Sequence, residues 1–195
     1  HVGTVHSSNL CTEILLHTKP TEYDEGDIVE VGETAVCNLA SINLSSHLKV
    51  RTIDWKKLQK TVEVAVRGLD NVINLNFYPT KEAKKSNLRH RPVGLGIMGT
   101  HDVLHKLGIP YNSQDAVVLC GKIQQFISLH AIKTSALLAK EKGAYPSFEG
   151  SEWDKGNFPI DTYCDLMNQR HSLRPENVYK RVDFESFEDE WEEVR

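Results

Sequence analysis

Residues 34–44 read T-A-V-C-N-L-A-S-I-N-L, and this stretch decides the fold of the chain. Its first half is almost continuously apolar, which is typical of a short strand buried on both faces of a parallel sheet. Residues 92–98, P-V-G-L-G-I-M, predict a second short strand. Around these segments the apolar residues recur at helical spacing instead. Strands separated by long helices indicate a parallel α/β arrangement.

Two long helices are predicted. The first follows Asp54, a suitable N-cap, and extends about 22 residues toward Pro79. Its apolar stripe is Leu58, Val62, Ala65, Val66, Leu69, Val72 and Ile73. The second begins near Ser113 and stops at Gly143, which follows a basic last turn. Its predicted core residues are Leu119, Ile123, Phe126, Ile127 and Leu138. A shorter helix is expected between the second strand and Leu107.

The remaining segments are predicted from composition. The acidic, turn-rich residues 20–32 indicate a surface loop, and the basic residues 81–91 indicate a solvated connector. Residues 145–161 predict an irregular segment. Residues 183–195 hold seven acids and place Phe184, Phe187, Trp191 and Val194 at helical spacing, which predicts an amphipathic helix on a larger body. Because only about three strands are visible, the missing strands are expected from elsewhere, and the chain is expected to be part of a longer or split protein.

Composition excludes several classes of function. The 195 residues carry a net charge of −4, which argues against a surface for duplex nucleic acid. No run is long and apolar enough to span a bilayer, and no secretion signal opens the chain, so a cytoplasmic protein without membrane contact is expected. The four cysteines are irregularly spaced, which indicates reduced thiols with catalytic or redox roles rather than a disulfide framework.

Residues 7–14, S-S-N-L-C-T-E-I, hold the sharpest chemical pattern. If this stretch is extended, Asn9, Cys11 and Glu13 point to one face. The three side chains would then lie together. The amide could donate hydrogen bonds, the thiol would supply a reactive sulfur, and the carboxyl could act as an acid or a base. The same alternation also suits a half-buried strand whose polar side chains face water. Cys37 lies in the apolar run of residues 34–44, where a cysteine is ordinarily only a small hydrophobe.

Taken together, residues 7–14 and 35–44 resemble the large catalytic subunit of ribonucleotide reductase, of class I or the related class II. The segments R-P-V-G-L-G-I-M-G (91–99), K-G-A-Y-P-S-F (142–148) and P-I-D-T-Y (159–163) also resemble that family, in the expected order. The resemblance implies that residues 1–195 are part of a ten-stranded α/β barrel. Within it, a finger loop would occupy residues 1–16, the strand with a redox cysteine 34–44, and a helical remainder 54–195.

The resemblance also implies roles for the first segment. Cys11 would be the thiyl-radical cysteine, which takes the 3′ hydrogen of the ribose. Glu13 would remove and return the proton of the 3′ hydroxyl, and Asn9 would hydrogen-bond the substrate hydroxyls. Ser8 and Leu10 would complete the stretch that binds the substrate.

The resemblance makes Cys37 one of two thiols that reduce the 2′ position and end as a disulfide, with the second thiol outside this chain. No cofactor or metal is expected on this chain, since the radical would come from a separate metal-containing small subunit; adenosylcobalamin is the alternative source. Expected partners are the rest of the catalytic subunit, the small subunit, a ribonucleotide, most simply a diphosphate, and a thioredoxin- or glutaredoxin-type reductant. The chain alone is expected to be inactive.

Other motifs and functions are weaker. Residues 94–99 match G-x-G-x-x-G but lack the acidic residue of a dinucleotide site at the end of a following strand, so close helix–strand packing is expected there. His101 and His105 imitate a zinc helix without its glutamate or a third ligand, and two surface histidines are expected. A non-catalytic scaffold completing a partner chain is the rival function. A third possibility is a stand-alone thiol–disulfide protein, but this chain lacks the C-x-x-C motif that is usual in such proteins.

Overall fold

The computed structural model describes residues 3–6, 8, 15–159, 161, 162, 166 and 169. These residues form a mixed α/β structure, as predicted. In chain order the elements are β1 (Glu22–Asp24), β2 (Asp27–Glu30), β3 (Asn38–Asn43), a 3₁₀ turn (Leu44–His47), β4 (Leu48–Lys49), β5 (Thr52–Ile53), α1 (Trp55–Leu75), α2 (Lys81–His90), β6 (Val93–Met98), α3 (Thr100–Leu107) and α4 (Gln114–Lys142).

The strands predicted in residues 34–44 and 92–98 pair with each other. β3 and β6 are parallel, with Asn38 opposite Val93 and Asn43 opposite Met98, and the chain crosses between them through α1 and α2. The expectation that the apolar first half of this segment, residues 35–40, is buried on both faces is wrong. Burial alternates along β3, and Leu39 is 58% exposed, because within the described residues α1 and α4 cover only one face of the pair.

The two long helices are confirmed. The Asp54 carboxylate accepts a hydrogen bond from the Lys57 backbone N–H at 3.0 Å and caps α1. Ser113 caps α4 in the same way, and Gly143 ends it with a positive φ of 89°. The predicted stripes supply most of the core, except that Val72 is exposed. The central core cluster consists of Ile42, Leu44, Ile53, Leu58, Val62, Val66, Val103, Ile123, Phe126, Ile127 and Leu138.

Two connecting segments are more ordered than predicted. Residues 20–32, expected as a loop, contain the exposed antiparallel hairpin of β1 and β2. Residues 81–91, expected as a solvated connector, form α2, which Thr80 caps. This helix buries Ala83, Ser86 and Asn87, so its inner face is largely polar. Residues 143–158 are irregular, as expected, and the predicted acidic helix at 183–195 lies outside the described residues.

A left-handed residue connects α2 to β6. Arg91 ends the helix at φ 45° and ψ 51°, an unfavourable conformation for a side chain of this size. The Pro92 that follows disfavours helical backbone at Arg91, so the helix cannot continue. The turn directs the chain into β6 alongside β3. Of the helices that the structure describes, none combines the length and the apolar character needed to cross a membrane.

Candidate active site

Most of the predicted reacting residues lie outside the described part of the chain. Asn9, Leu10, Cys11 and Glu13 belong to this group, and their roles therefore stay predictions. Ser8 is described and is exposed.

A shallow pocket of about 410 Å³ lies on the open face of β3 and β6. Its lining comes from three parts of the chain: Leu15, Leu16, Cys37, Leu39, Ala40, Ser41, Pro92, Val93, Gly94, Leu95 and Gly96. Residues 15 and 16 follow the predicted reacting trio directly. The structure therefore brings Leu15 and Leu16, the last residues of the predicted finger loop, and Cys37 to one pocket, whose wall is mostly apolar.

Cys37 lies one residue before β3 and is half-buried. Its Sγ donates a weak hydrogen bond to the Asn38 carbonyl at 3.9 Å. On the neighbouring strand, a Cβ added to Gly94 would lie 3.5 Å from this sulfur and 2.5 Å from Cδ2 of Leu39. Glycine at position 94 thus leaves the space that the Cys37 and Leu39 side chains occupy. A thiol at the wall of a pocket can be reached by a second thiol or a substrate.

Asn38, the residue after Cys37, is held from behind the sheet. Its amide nitrogen donates to Oδ1 of Asn87 and to the Pro92 carbonyl, both at 3.3 Å. Asn87 is fully buried and donates to the hydroxyl of Tyr78, which donates to the Ile73 carbonyl at the end of α1. This chain of buried hydrogen bonds fixes the start of β3 against α2 and α1.

A second buried polar group lies four residues before Cys37. The Glu33 side chain is 1% exposed and accepts hydrogen bonds from Nε2 of His90 at 2.5 Å and from Arg89. Burial raises the pKa of Glu33, but the hydrogen bonds from His90 and Arg89 outweigh it and leave the pKa below its ordinary value. Glu33 is therefore an ionised carboxylate in a nearly water-free position.

Asp70 of α1 forms a third polar centre, behind the sheet. Its carboxylate accepts hydrogen bonds from Arg91 at 2.6 and 2.9 Å and from Nζ of Lys142 at 2.7 Å. Burial raises the pKa of Asp70. The hydrogen bonds and charges of Lys142 and Arg91 together lower this pKa by more than burial raises it, so it lies below its ordinary value. This ion pair holds the left-handed Arg91 and joins α1, α4 and the start of β6.

The weaker motifs have structural roles. Gly94 and Gly96 lie in β6, and Gly99 precedes α3 at φ 78°, where a Cβ would lie 3.2 Å from Oδ1 of Asn43. Gly99 thus allows the expected close packing of helix and strand. The atoms nearest to Gly94 and Gly96 belong to residues 37–41 on the neighbouring strand segment, so these two glycines admit a strand and not a helix. His101 and His105 are exposed, as expected. Within the described ranges, no three His, Cys, Asp or Glu side chains are grouped to hold a metal ion.

Cys120, on α4, is half-buried, and burial raises the pKa of its thiol. Its thiolate fraction at neutral pH is therefore small, and the side chain is unsuited to nucleophilic chemistry.

Sequence reasoning missed the polar groups that support the pocket, namely Glu33, Asn38, Asn87 and Asp70. Each is a polar residue whose burial depends on a partner distant in sequence. The one local signal was the basic run Arg89–Arg91 immediately before Pro92, which supplies the partners of both carboxylates.

Comparison with known proteins supports the resemblance. The family model described as ribonucleotide reductase, barrel domain, matches residues 1–195. The ribonucleoside-diphosphate reductase subunit alpha of Chlamydia trachomatis is 49% identical over 195 residues, covering 100% of this chain and 17% of that protein. The subunit alpha of Helicobacter pylori is 40% identical over 206 residues, with 83% of this chain and 26% of that protein.

A eukaryotic relative gives a similar match. The ribonucleoside-diphosphate reductase large chain of Neurospora crassa is 40% identical over 165 residues, covering 84% of this chain and 17% of that protein. The chain thus spans about a quarter or less of the length of these relatives. Since the family model covers every residue, the chain belongs to the ribonucleotide reductase family and lies within its barrel domain.

Proposed function

We propose that this chain supplies part of the active site of a ribonucleotide reductase catalytic subunit, which reduces ribonucleoside diphosphates to 2′-deoxyribonucleotides. One observation carries the proposal: Cys37 and residues 15 and 16, which follow the predicted Cys11 segment, line the same pocket in a chain that matches the barrel domain of the family. The relatives are named as diphosphate reductases, which favours a diphosphate substrate.

In the proposed reaction Cys11, at the tip of a finger loop in residues 1–16, is oxidised to a thiyl radical and takes the 3′ hydrogen of the ribose. Glu13 accepts the proton of the 3′ hydroxyl and returns it before the product leaves, and Asn9 holds the substrate hydroxyls. The 2′ hydroxyl leaves as water. Cys37 and a second thiol supply two electrons and two protons and become a disulfide, and the 3′ hydrogen returns from Cys11.

The surroundings of Cys37 suit this role. Leu15, Leu39 and Val93 give the pocket apolar walls, which limit side reactions of a radical with water. A disulfide requires the two Cα atoms to come within about 7 Å, so the second thiol must enter from the open face of β3 and β6. In the assembled subunit we place the strand that carries it on this face.

The proposed partners follow from the same assignment. The rest of the catalytic subunit completes the barrel, and a separate metal-containing small subunit generates the radical. A thioredoxin- or glutaredoxin-type protein reduces the disulfide after each turnover, and the enzyme works in the cytoplasm. Turnover by the complete catalytic subunit with adenosylcobalamin, in the absence of the small subunit, would instead identify the class II source.

The test uses the complete catalytic subunit with its small subunit and a dithiol reductant. Cys11→Ser is expected to abolish formation of deoxynucleotides. Cys37→Ser is expected to abolish turnover with a thioredoxin-type reductant, because the disulfide cannot form. Cys120→Ser is the matched control, since that thiol lies on α4 away from the pocket lining, and it should keep full activity.

Two outcomes would contradict the proposal. Full activity of Cys11→Ser in the assembled enzyme would make this chain a non-catalytic scaffold. Deoxynucleotide formation by residues 1–195 alone would show that the chain needs no further strands or partner subunit.

A further inference from the structure

Glu33 connects the two segments that carry the proposed reacting cysteines. Its backbone N–H donates to the Lys19 carbonyl at 2.7 Å, and its carbonyl accepts from the Lys19 N–H at 2.9 Å. Lys19 lies at the end of the stretch that leaves the Cys11 segment, and Glu33 lies four residues before Cys37. This two-bond bridge therefore joins the stretch that follows residues 7–14 to the stretch that precedes Cys37. Leu15 and Leu16 of the first stretch line one pocket with Cys37.

The side chain of Glu33 ties this bridge to α2. One carboxylate oxygen accepts from Nε2 of His90 and the other from Arg89. The opposite ring nitrogen of His90 is 2.8 Å from the hydroxyl of Ser147, so the imidazole is held on both sides. The ring of His17 packs edge-on against His90, with centroids 6.3 Å apart. Through His17, the stretch that follows the Cys11 segment thus contacts His90, the residue that donates to Glu33.

The close approach of the two segments also needs Gly32. A Cβ at this position would lie 2.2 Å from the Lys19 carbonyl oxygen and 2.5 Å from the carbonyl carbon of Pro20. Both are backbone atoms, which cannot move aside as the end of a flexible side chain can. The bridge thus combines a glycine that admits the neighbouring backbone with a carboxylate that anchors it.

We propose that Glu33 is a positioning residue, which sets the separation between the Cys11 segment and Cys37 by anchoring the Lys19 bridge to the end of α2. The inference rests on the proposed function, because it assigns Glu33 a part in bringing the two thiols to one substrate. It depends on the reach of the side chain: two acceptor oxygens must extend to His90 and Arg89 from a backbone already paired with Lys19.

Two substitutions separate reach from charge. Glu33→Gln keeps the length of the side chain: its oxygen can accept from Arg89, and its amide can donate to His90 in the other tautomer. Glu33→Asp keeps the charge but is one methylene shorter, so it can contact His90 and Arg89 only if the bridge moves. Glu30→Asp is the matched control, because Glu30 lies at the end of β2, three residues before Glu33, and is exposed where it pairs with Lys19 and Lys85.

The variants are made in the complete catalytic subunit. The separation is read without turnover, from the yield of a short bifunctional thiol reagent bridging Cys11 and Cys37, mapped by peptide mass spectrometry. Steady-state kinetics with the small subunit then give kcat and KM. Glu33→Asp should lower both the cross-link yield and kcat, the latter about tenfold to a hundredfold, with KM within about twofold. Glu33→Gln should stay within about threefold of the parent, and Glu30→Asp should match it.

A parental cross-link yield and kcat in Glu33→Asp would overturn the inference, and so would greater loss in Glu33→Gln than in Glu33→Asp, since charge rather than reach would then matter. Gly32→Ala gives a second route: it should reproduce the loss of cross-linking while leaving the Glu33 side chain intact. The cross-link measures the separation of the two thiols without catalysis. Its result therefore tests the role of Glu33 even if full activity of Cys11→Ser has contradicted the proposed function.

Discussion

Arg91 contacts Asp70 through two nitrogens, with Nε at 2.9 Å and Nη2 at 2.6 Å from the same carboxylate oxygen. Nη2 also donates to the Asp70 carbonyl at 2.9 Å. Asn74, also on α1, accepts from Nη1 of Arg91 at 2.9 Å. Asp70 provides most of these contacts, which hold the side chain at the left-handed turn that starts β6. Since β6 forms one wall of the pocket, this contact determines where that wall lies.

Replacement of Asp70 by Asn should lower the free energy of unfolding by about 2 kcal/mol, because Arg91 and Lys142 lose a partly buried charged acceptor. Urea titration of the complete subunit measures the change. Glu141→Gln is the control: Glu141 pairs with Arg67 between the same two helices, but both side chains are about half exposed. It should leave the midpoint almost unchanged. Equal losses in the two variants would contradict the role given to Asp70.

Asn87→Ala should destabilise the protein by about 2 kcal/mol, because the buried amide of Asn38 and the hydroxyl of Tyr78 each lose a partner. The variant should also make Cys37 easier to alkylate, since the start of β3 is no longer tied to α2. Asn71→Ala provides the comparison, because Asn71 is exposed and its side-chain oxygen accepts a hydrogen bond from Lys142. An unchanged alkylation rate in Asn87→Ala would show that the network does not hold the thiol.

Gly68→Ala should stabilise the protein by about 0.5–1 kcal/mol. Gly68 lies inside α1 on its exposed side, and an added Cβ would meet no atom within 4 Å. Alanine restricts the unfolded chain and has the higher helix propensity. Thermal denaturation of the parent and the variant checks this, and a lower midpoint in the variant would mean that another part of the assembled protein packs against this side of α1.

Loss of stability in acid should depend in part on Glu33. Its folded-state pKa lies below the ordinary value of 4.5, so its stabilising contribution is present above that value and disappears as the pH falls through the lower folded value. The difference in unfolding free energy between the parent and Glu33→Gln should therefore shrink below about pH 4.5. His90 and Arg89 contact the carboxylate, His17 packs against the ring of His90, and all three are unchanged in both proteins. A constant difference between neutral pH and about pH 3 would contradict the assignment.

The long helices could be predicted because their signals are local. Asp54, Ser113 and Gly143 mark helix ends by their own chemistry, and the apolar spacing of α1 and α4 needs no distant partner. The parallel pairing of β3 with β6 followed from the helices between them. The one error in this part was the burial of β3, since an apolar strand was assumed to be covered on both faces.

The polar interior could not be predicted in the same way. α2 buries Ala83, Ser86 and Asn87, and apolar periodicity does not detect such a face. Glu33 follows an acidic hairpin and looks solvent-exposed in sequence, yet its partners Arg89 and His90 lie 56 and 57 residues further along. Its burial is decided by the tertiary fold alone.

The candidate site depends partly on the resemblance of the sequence and partly on the structure. Cys37 was picked out by resemblance, since a cysteine in an apolar strand is usually inert. The structure adds that Cys37 lines a pocket together with residues 15 and 16. The roles of Asn9, Cys11 and Glu13 depend on the resemblance and stay predictions.

Within the described residues, β3 and β6 each pair on one side only, with each other. Each strand therefore keeps a row of unused backbone donors and acceptors along its outer margin, beside exposed side chains such as Leu39 and Met98. Such margins recruit any extended peptide that reaches them, including another copy of the same chain. Soluble material for structural work is thus best obtained by co-expressing this chain with the polypeptide that supplies the neighbouring strands.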